Sequence, residues 1–256
     1  MPVPFKKIAV QDEDSITTLT LQNGKGNIVD KAMMIELAAA IDTVGARRES
    51  KAILFCAEGD HFSFGASVPE HQADQVAGML AAFHTLFRKL IDCSLPTVSA
   101  VRGQCLGGGF ELVAFTHWIF ASPNARFGQP EINLSVFPPV ASLILPARVG
   151  QTVADDINLT GRTMTADELH LRGLIHSVVD NPEQAAREFI HTHLLSKSSA
   201  ALKYTVRSSR HALHSSFLKH IDELEKIYLA GLMKTHDANE GINAFMEKRK
   251  PNWTNQ

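Results

Sequence analysis

The chain has 256 residues, 45% hydrophobic and 20% charged, with 25 Lys and Arg against 27 Asp and Glu. That length and apolar content provide a sizeable buried core and exclude a disordered chain. A net charge of −2 excludes a general nucleic-acid binder, which needs a basic face. Cys56, Cys93 and Cys105 stand at unrelated spacings, so neither a disulfide framework nor a CxxC metal pattern follows, and each reads as a small buried apolar residue. The residues from Met1 to Lys7 carry no apolar signal region, and no stretch approaches the ~20 apolar residues of a membrane span. The expectation is a soluble cytoplasmic protein.

In chain order, Ile16 to Leu21 is β-rich and reads as the first strand. Asp30 can cap a helix whose apolar face is Met34, Leu37, Ala38, Ile41 and Val44. Ala52 to Ala57 is a short continuous apolar run, as expected of a strand buried on both faces. A helix over about Ala73 to Ile91 leads to Pro96, and two further buried strands follow at Thr97–Val101 and His117–Ala121. Strands alternating with helices predict an α/β fold with mainly parallel strands. Later, Thr165-Ala166-Asp167-Glu168 has the pattern of a capping box, Gly173 can stop that helix, and Pro182-Glu183 opens another. From Ser198 to Lys250 the chain is helix-compatible throughout. Residues 1–190 are therefore read as the core and 191–256 as a helical C-terminal region.

Three segments could carry chemistry. In Gly103-Gln104-Cys105-Leu106-Gly107-Gly108-Gly109-Phe110-Glu111, three successive glycines stand between a buried strand and an apolar helix. Without Cβ atoms the backbone is open to a ligand, and N–H groups at a helix start favour an anionic oxygen. A close helix–strand packing turn would use the same residues. No Gly-Lys-Ser/Thr follows, and the spacing is not that of a dinucleotide fingerprint. Phe62-Ser63-Phe64-Gly65-Ala66-Ser67-Val68 is a second small-residue turn after a strand; the two turns together could offer one N–H each to a single oxygen, the geometry of an oxyanion hole. In Phe127-Gly128-Gln129-Pro130-Glu131, the acid stands in apolar surroundings, as Glu111 does. Each glutamate alone could be a solvated surface acid. Together in one pocket they could hold a water and move its protons, and their repulsion would raise one pKa. The paired histidines His191/His193 and His211/His214 lack a third ligand at useful spacing, and Ser99 and Ser142 lack a nucleophile elbow. Lys248-Arg249-Lys250 suits either a helix C-terminus or ligand phosphates.

Taken together, the Asn27 turn, Gly65-Ala66, Gly107-Gly108-Gly109-Phe110-Glu111, Gly128-Gln129-Pro130-Glu131 and the closing Phe245-Met246-Glu247-Lys248-Arg249-Lys250-Pro251 resemble the crotonase (enoyl-CoA hydratase/isomerase) superfamily over nearly the whole chain. The resemblance implies a spiral of ββα units with a helical C-terminal trimerisation region, assembled as a homotrimer or a dimer of trimers. It implies an acyl-CoA substrate, no metal and no separate cofactor because CoA is part of the substrate, and no nucleic-acid or membrane partner. By position, the N–H groups of Ala66 and Gly108 would hold the thioester oxygen. Glu131 would supply or remove the α-proton, and Glu111 would help activate water at the β-carbon. Lys25, Gly26, Phe64, Ala66, Val68 and Lys248 would bind CoA, and Phe137, Pro138 and Pro139 would line the acyl pocket. Having both glutamates favours water addition to an α,β-unsaturated acyl-CoA.

Ser67 replaces the family's usual Asp, Pro69 stands where a basic residue is common, and Phe137-Pro138-Pro139-Val140-Ala141 replaces a glycine-rich loop. The last of these, with Val101 to Leu106 and Gly128 to Ile132, is similar to the branch that hydrates cyclohexa-1,5-diene-1-carbonyl-CoA; a rigid apolar pocket suits a flat ring. Double-bond isomerisation or C–C hydrolysis on the same scaffold, and a non-catalytic acyl-CoA-binding relative, remain the alternatives.

Overall fold

The structure is a computed structural model that describes residues 5–256; the reading of a signal-free start rests partly on residues 1–4, outside that range. In chain order the elements are β1 (Ile8–Glu13), β2 (Ile16–Leu21), α1 (Lys31–Ala46), β3 (Ala52–Ala57), α2 (Val76–Cys93), β4 (Thr97–Val101), β5 (Gln104–Leu106), α3 (Gly107–Phe115), β6 (Trp118–Ala121) and β7 (Arg126–Gly128). Then come α4 (Pro139–Val149), α5 (Gln151–Thr160), β8 (Thr163–Thr165), α6 (Ala166–Leu171), β9 (Ser177–Val178), α7 (Pro182–His193), α8 (Ser199–Ser209), α9 (His211–Lys226) and α10 (His236–Met246). A six-stranded sheet runs β1-β2-β3-β4-β6-β9, antiparallel only at the β1–β2 hairpin. A second sheet runs β5-β7-β8. The α/β architecture expected from the alternating pattern is present. β1 escaped the sequence reading because its second half, Gln11-Asp12-Glu13, is exposed and polar; the hairpin turns on Asp14 and Ser15, both at positive φ.

The apolar run of β3 is explained by two cores. Ile53 and Phe55 enter the main cluster with α1, α2 and α3, whereas Ala52, Leu54 and Cys56 enter a second cluster with Ala186 and Ile190 of α7 and with Leu194 just after it. A strand covered on both faces loses the usual polar alternation. Asp30 caps α1 through the Met33 N–H, and Thr165 with Glu168 forms a reciprocal capping box on α6, as their spacing predicted. The helix predicted from Ala73 starts at Val76 instead, because Pro69–His71 forms a separate 3₁₀ turn ahead of it.

α3 carries the glycine turn at its N-terminus. At its other end Arg148 Nη1 donates to the Ala114 and Thr116 carbonyls (2.8 and 2.6 Å), and Arg210 donates to those of Phe115 and Thr116 (2.6 and 2.9 Å). Two cations thus satisfy the carbonyls at the negative end of that helix. The C-terminal helices fold back over this unit, with Phe217, Ile221, Tyr228, Met233, Ala238 and Ile242 in the main core.

Gly241 lets α10 approach the 3₁₀ turn Pro130–Leu134: a Cβ at 241 would collide with the Leu134 backbone carbonyl. Backbone cannot yield as a flexible side chain can, so Gly241→Ala should destabilise the fold by about 1–3 kcal/mol. Thermal melting should show a drop of several degrees in Tm; an unchanged Tm would mean that α10 is not seated against this turn.

Candidate active site

The site forms where neighbouring parallel strands end. β3 and β4 lie side by side, so the loops leaving their C-terminal ends emerge together, as ligand loops of open α/β sheets do. In the first loop, the Ser63 N–H donates to the Gln104 carbonyl (3.0 Å), and the Ser63 carbonyl accepts from the Leu106 N–H (2.9 Å). This bridge to β5 lays Gly65-Ala66 against Gly107-Gly108. A Cβ on Gly108 would lie 3.5 Å from the Ala66 nitrogen. Gly108 is in the first turn of α3, where N–H groups have no intrahelical acceptor, and among the described residues no group accepts from the Ala66 N–H. Two free donors therefore stand together.

The second sheet delivers Glu131. β7 pairs with β5 in parallel, Leu106 opposite Gly128, so Gln129-Pro130-Glu131 leaves beside the glycine turn. A Cβ on Gly107 would sit 2.7 Å from Glu131 Oε1, and Gly107 has φ of 48°. Only glycine meets both demands. Glu111 is three residues beyond Gly108 and four beyond Gly107 on α3, hence on the same helix face. It is 3% exposed, and its Oε1 accepts the Ala141 N–H at 2.8 Å.

Burial dominates the electrostatics. It pushes Glu111 up to about 7, against the pull of the Ala141 and Val140 N–H groups. Burial, and then the Glu111 charge, pushes Glu131 well above the usual carboxylate range. The pair therefore shares a proton near neutral pH, with the charge better accommodated on Glu111, where backbone donors face it. Such a pair offers a base and an acid to one bound molecule, beside two N–H groups that can hold a developing oxyanion.

The CoA-side residues separate. Lys25 and Phe64 line a groove of about 710 Å³ together with Gln22, Gly24, Glu58, Gly59, Asp60 and His61. Gly26 packs on Phe64, where a Cβ would come within 3.1 Å of the ring. The Phe64 N–H donates to the Gly26 carbonyl (2.8 Å), so the groove abuts the turn that carries Ala66. Val68 is half-buried and packs against the core just before Pro69–His71. Lys248 is exposed beyond α10 at positive φ and is not brought to this groove. Phe137 is half-buried, and Pro138 and Pro139 are buried at the start of α4.

Sequence reasoning missed several residues of the site. Buried Gln129, its amide oriented to place nitrogen on the carboxylate, reaches both Glu131 oxygens (3.1 and 3.0 Å). Its adjacency to Glu131 was the available signal. Asn27, quoted only as a turn residue, donates through Nδ2 to the Glu58 and His61 carbonyls (2.9 and 3.0 Å) and accepts the Asn23 N–H (3.0 Å). It latches the Gly24–Gly26 turn to the loop after β3. Tyr228 is buried against Phe137, and nothing local in the sequence marks it. Among the described residues no group of three His, Cys, Asp or Glu side chains could hold a metal, and no helix is long and apolar enough to cross a membrane. Cys56, Cys93 and Cys105 are free and buried.

Comparison with known proteins follows the same lines. The model of the enoyl-CoA hydratase/isomerase family matches residues 11–256. The chain is 43% identical over 250 residues to a cyclohexa-1,5-dienecarbonyl-CoA hydratase of Thauera aromatica, covering 98% of this chain and 97% of that protein. It is 30% identical to a crotonyl-CoA hydratase of Syntrophomonas wolfei, covering 97% and 98%. An enoyl-CoA hydratase/isomerase structure from Pseudoalteromonas atlantica has a TM-score of 0.83 at 26% identity, covering 97% of this chain and 100% of that one. With the family model matching residues 11–256 and a relative 43% identical over 98% of the chain, the chain belongs to the enoyl-CoA hydratase/isomerase family.

Proposed function

We propose that this protein is a hydratase that adds water to an α,β-unsaturated acyl-CoA thioester, a cyclic dienoyl-CoA included. The observation that carries the reading is the pair of buried Glu111 and half-buried Glu131, beside the free N–H groups of Ala66 and Gly108. The thioester oxygen accepts from both N–H groups. Ionised Glu111 takes a proton from water while the water oxygen bonds to the β-carbon. The π pair moves toward the α-carbon and the thioester oxygen, and the two donors stabilise that enolate charge. Protonated Glu131 then delivers its proton to carbon. After product leaves, the proton passes back between the carboxyls, so water has been added and the pair is reset. For a ring diene the enolate is a dienolate, its charge spread along the ring.

The cyclic substrate is favoured by the segment that follows Glu131. Phe137, Pro138 and Pro139 form a stiff apolar segment, and the 43% identity is to a hydratase named for the ring thioester. The groove at Lys25 and Phe64 is the proposed seat of CoA. Assembly as a homotrimer or a dimer of trimers belongs to the same reading. Its support is the large apolar side chains left outside, among them Tyr204 at 70% and Leu171 at 85% exposure.

Purified protein incubated in heavy-oxygen water with crotonyl-CoA and with cyclohexa-1,5-diene-1-carbonyl-CoA should add one labelled water to the ring substrate, read by mass. Labelled water added to crotonyl-CoA alone would remove the cyclic assignment. A rearranged product without label would mark an isomerase.

Replacing either acid removes a proton-transfer group, so Glu131→Gln and Glu111→Gln should each lower kcat by about 10²–10⁴. Both carboxyls bind protons more tightly folded than unfolded, so the pair costs stability increasingly as pH rises from the ordinary value of 4.5 through about 7. The same Gln variants should therefore melt above the wild type at pH 8, with the difference shrinking toward pH 4. Variants that keep full activity would dissociate the glutamates from the chemistry.

The rate should follow the ionisation of Glu111. As pH falls through about 7 that carboxylate gains a proton and loses its role as base. kcat/KM for hydration should then fall roughly tenfold per pH unit on the acid side. A profile flat from pH 5 to 8 would contradict the assignment.

A further inference from the structure

Tyr228 is buried to 1% exposure, and its hydroxyl is without a hydrogen-bond partner. A phenol hidden in a core without a partner forfeits a hydrogen bond for no packing gain that Phe would not give. The residue lies in a short π-helical segment, Ile227–Gly231, that interrupts the path from α9 toward α10. Such a turn re-aims side chains and occurs often at functional sites.

The ring meets Phe137 edge-on, with centroids 5.2 Å apart. Phe137 belongs to the loop strung between the two acids: one residue earlier the Val136 N–H donates to the Glu131 carbonyl (3.2 Å), and four later the Ala141 N–H donates to the Glu111 carboxylate (2.8 Å). Tyr228 thus stands behind the loop that joins both glutamates. Burial raises the phenol's pKa, and the Glu131 and Glu111 charges, in that order, raise it further, so it remains a protonated donor within reach of their field. It bonds to neither of them.

We infer that the Tyr228 O–H donates to the water oxygen held by Glu111 and Glu131, as the third anchor that sets this oxygen in line with the β-carbon. Tyr228 is then a positioning residue for the water, and for the hydroxyl as it is expelled in the reverse direction. Phe137 couples it to the acyl wall. The inference rests on the hydratase reading above.

Tyr228→Phe tests it, because it keeps the ring and its contact with Phe137. With the better of crotonyl-CoA and cyclohexa-1,5-diene-1-carbonyl-CoA, kcat should fall 10- to 100-fold while KM stays within about threefold. The acid limb of the pH profile should not move, since both carboxyls remain. Tm should be unchanged or higher, because an unpartnered buried hydroxyl has been removed. A kcat within threefold of the wild type, a loss confined to KM, or a lowered Tm with a displaced acid limb would each overturn the role of Tyr228 and leave hydration standing. A wild-type enzyme that hydrates neither substrate would instead overturn the functional reading itself.

Discussion

Everything in this structure answers to the cost of keeping two carboxyl groups out of water. Glu111 and Glu131 are pushed up in pKa first by burial, and Glu131 further by its partner. Both cannot be charged at once without severe repulsion. The protein settles this with unequal surroundings rather than with a compensating cation. Backbone N–H groups at the start of α4 face Glu111; a buried side-chain amide faces Glu131. An amide has a donor and an acceptor end, so Gln129 can serve Glu131 in either protonation state. The result is a pair whose two members differ in role because they differ in neighbours.

The arginines of the fold are used elsewhere. Arg148 and Arg210 are half-buried at the C-terminal end of α3, nine residues long, and leave its N-terminal end for a ligand. The helix then runs from a pair of cations at one end to unpaired N–H groups at the other, with Glu111 in between. Placing a cation beside the glutamates would have lowered their pKa values and removed the acid. Placing it at the far end of α3 satisfies the helix carbonyls without that penalty. The same separation explains why the substrate's charged portion is assigned to a groove on the other side of the Phe64–Ala66 turn, away from the carboxyl pair.

Much of this was legible in the sequence, and the reasons are local. Gly107, Gly108 and Glu111 lie within one helical turn of each other, so their spacing alone states their common face. Asp30 and Thr165 announce their helices by side chains that bond three residues ahead. β3 could be read as a doubly covered strand because covering both faces leaves no polar position. What was not legible is set by long-range register. That Glu131 rests over Gly107 depends on β7 pairing with β5. That Asn27 ties Gly26 to the loop after β3 depends on a contact across more than 30 residues. Lys248 is a further case: its type suits phosphates, but where it stands beyond α10, at positive φ, is a matter of how the last helix ends rather than of local pattern.

Tyr228 is the sharpest case of information absent from local pattern. Its immediate neighbours, Ile227 and Leu229, read as ordinary helix, and periodicity would assign it to a core face. Its placement comes from how α9 is held. His84 Nδ1 of α2 pairs with Glu225 at 2.6 Å, and Arg88 with Asp222 at 2.5 Å, three and six residues before the tyrosine. α2 also brings Phe83 to within 3.3 Å of where a Gly108 Cβ would lie. One helix therefore touches the oxyanion turn with one residue and, with the next, fixes the segment that carries Tyr228. The two walls of the site, one supplying amide donors and the other a phenol, are set against a common strut. A displacement of α2 would move both, so the geometry around the bound oxygen is held by packing well outside the atoms that react.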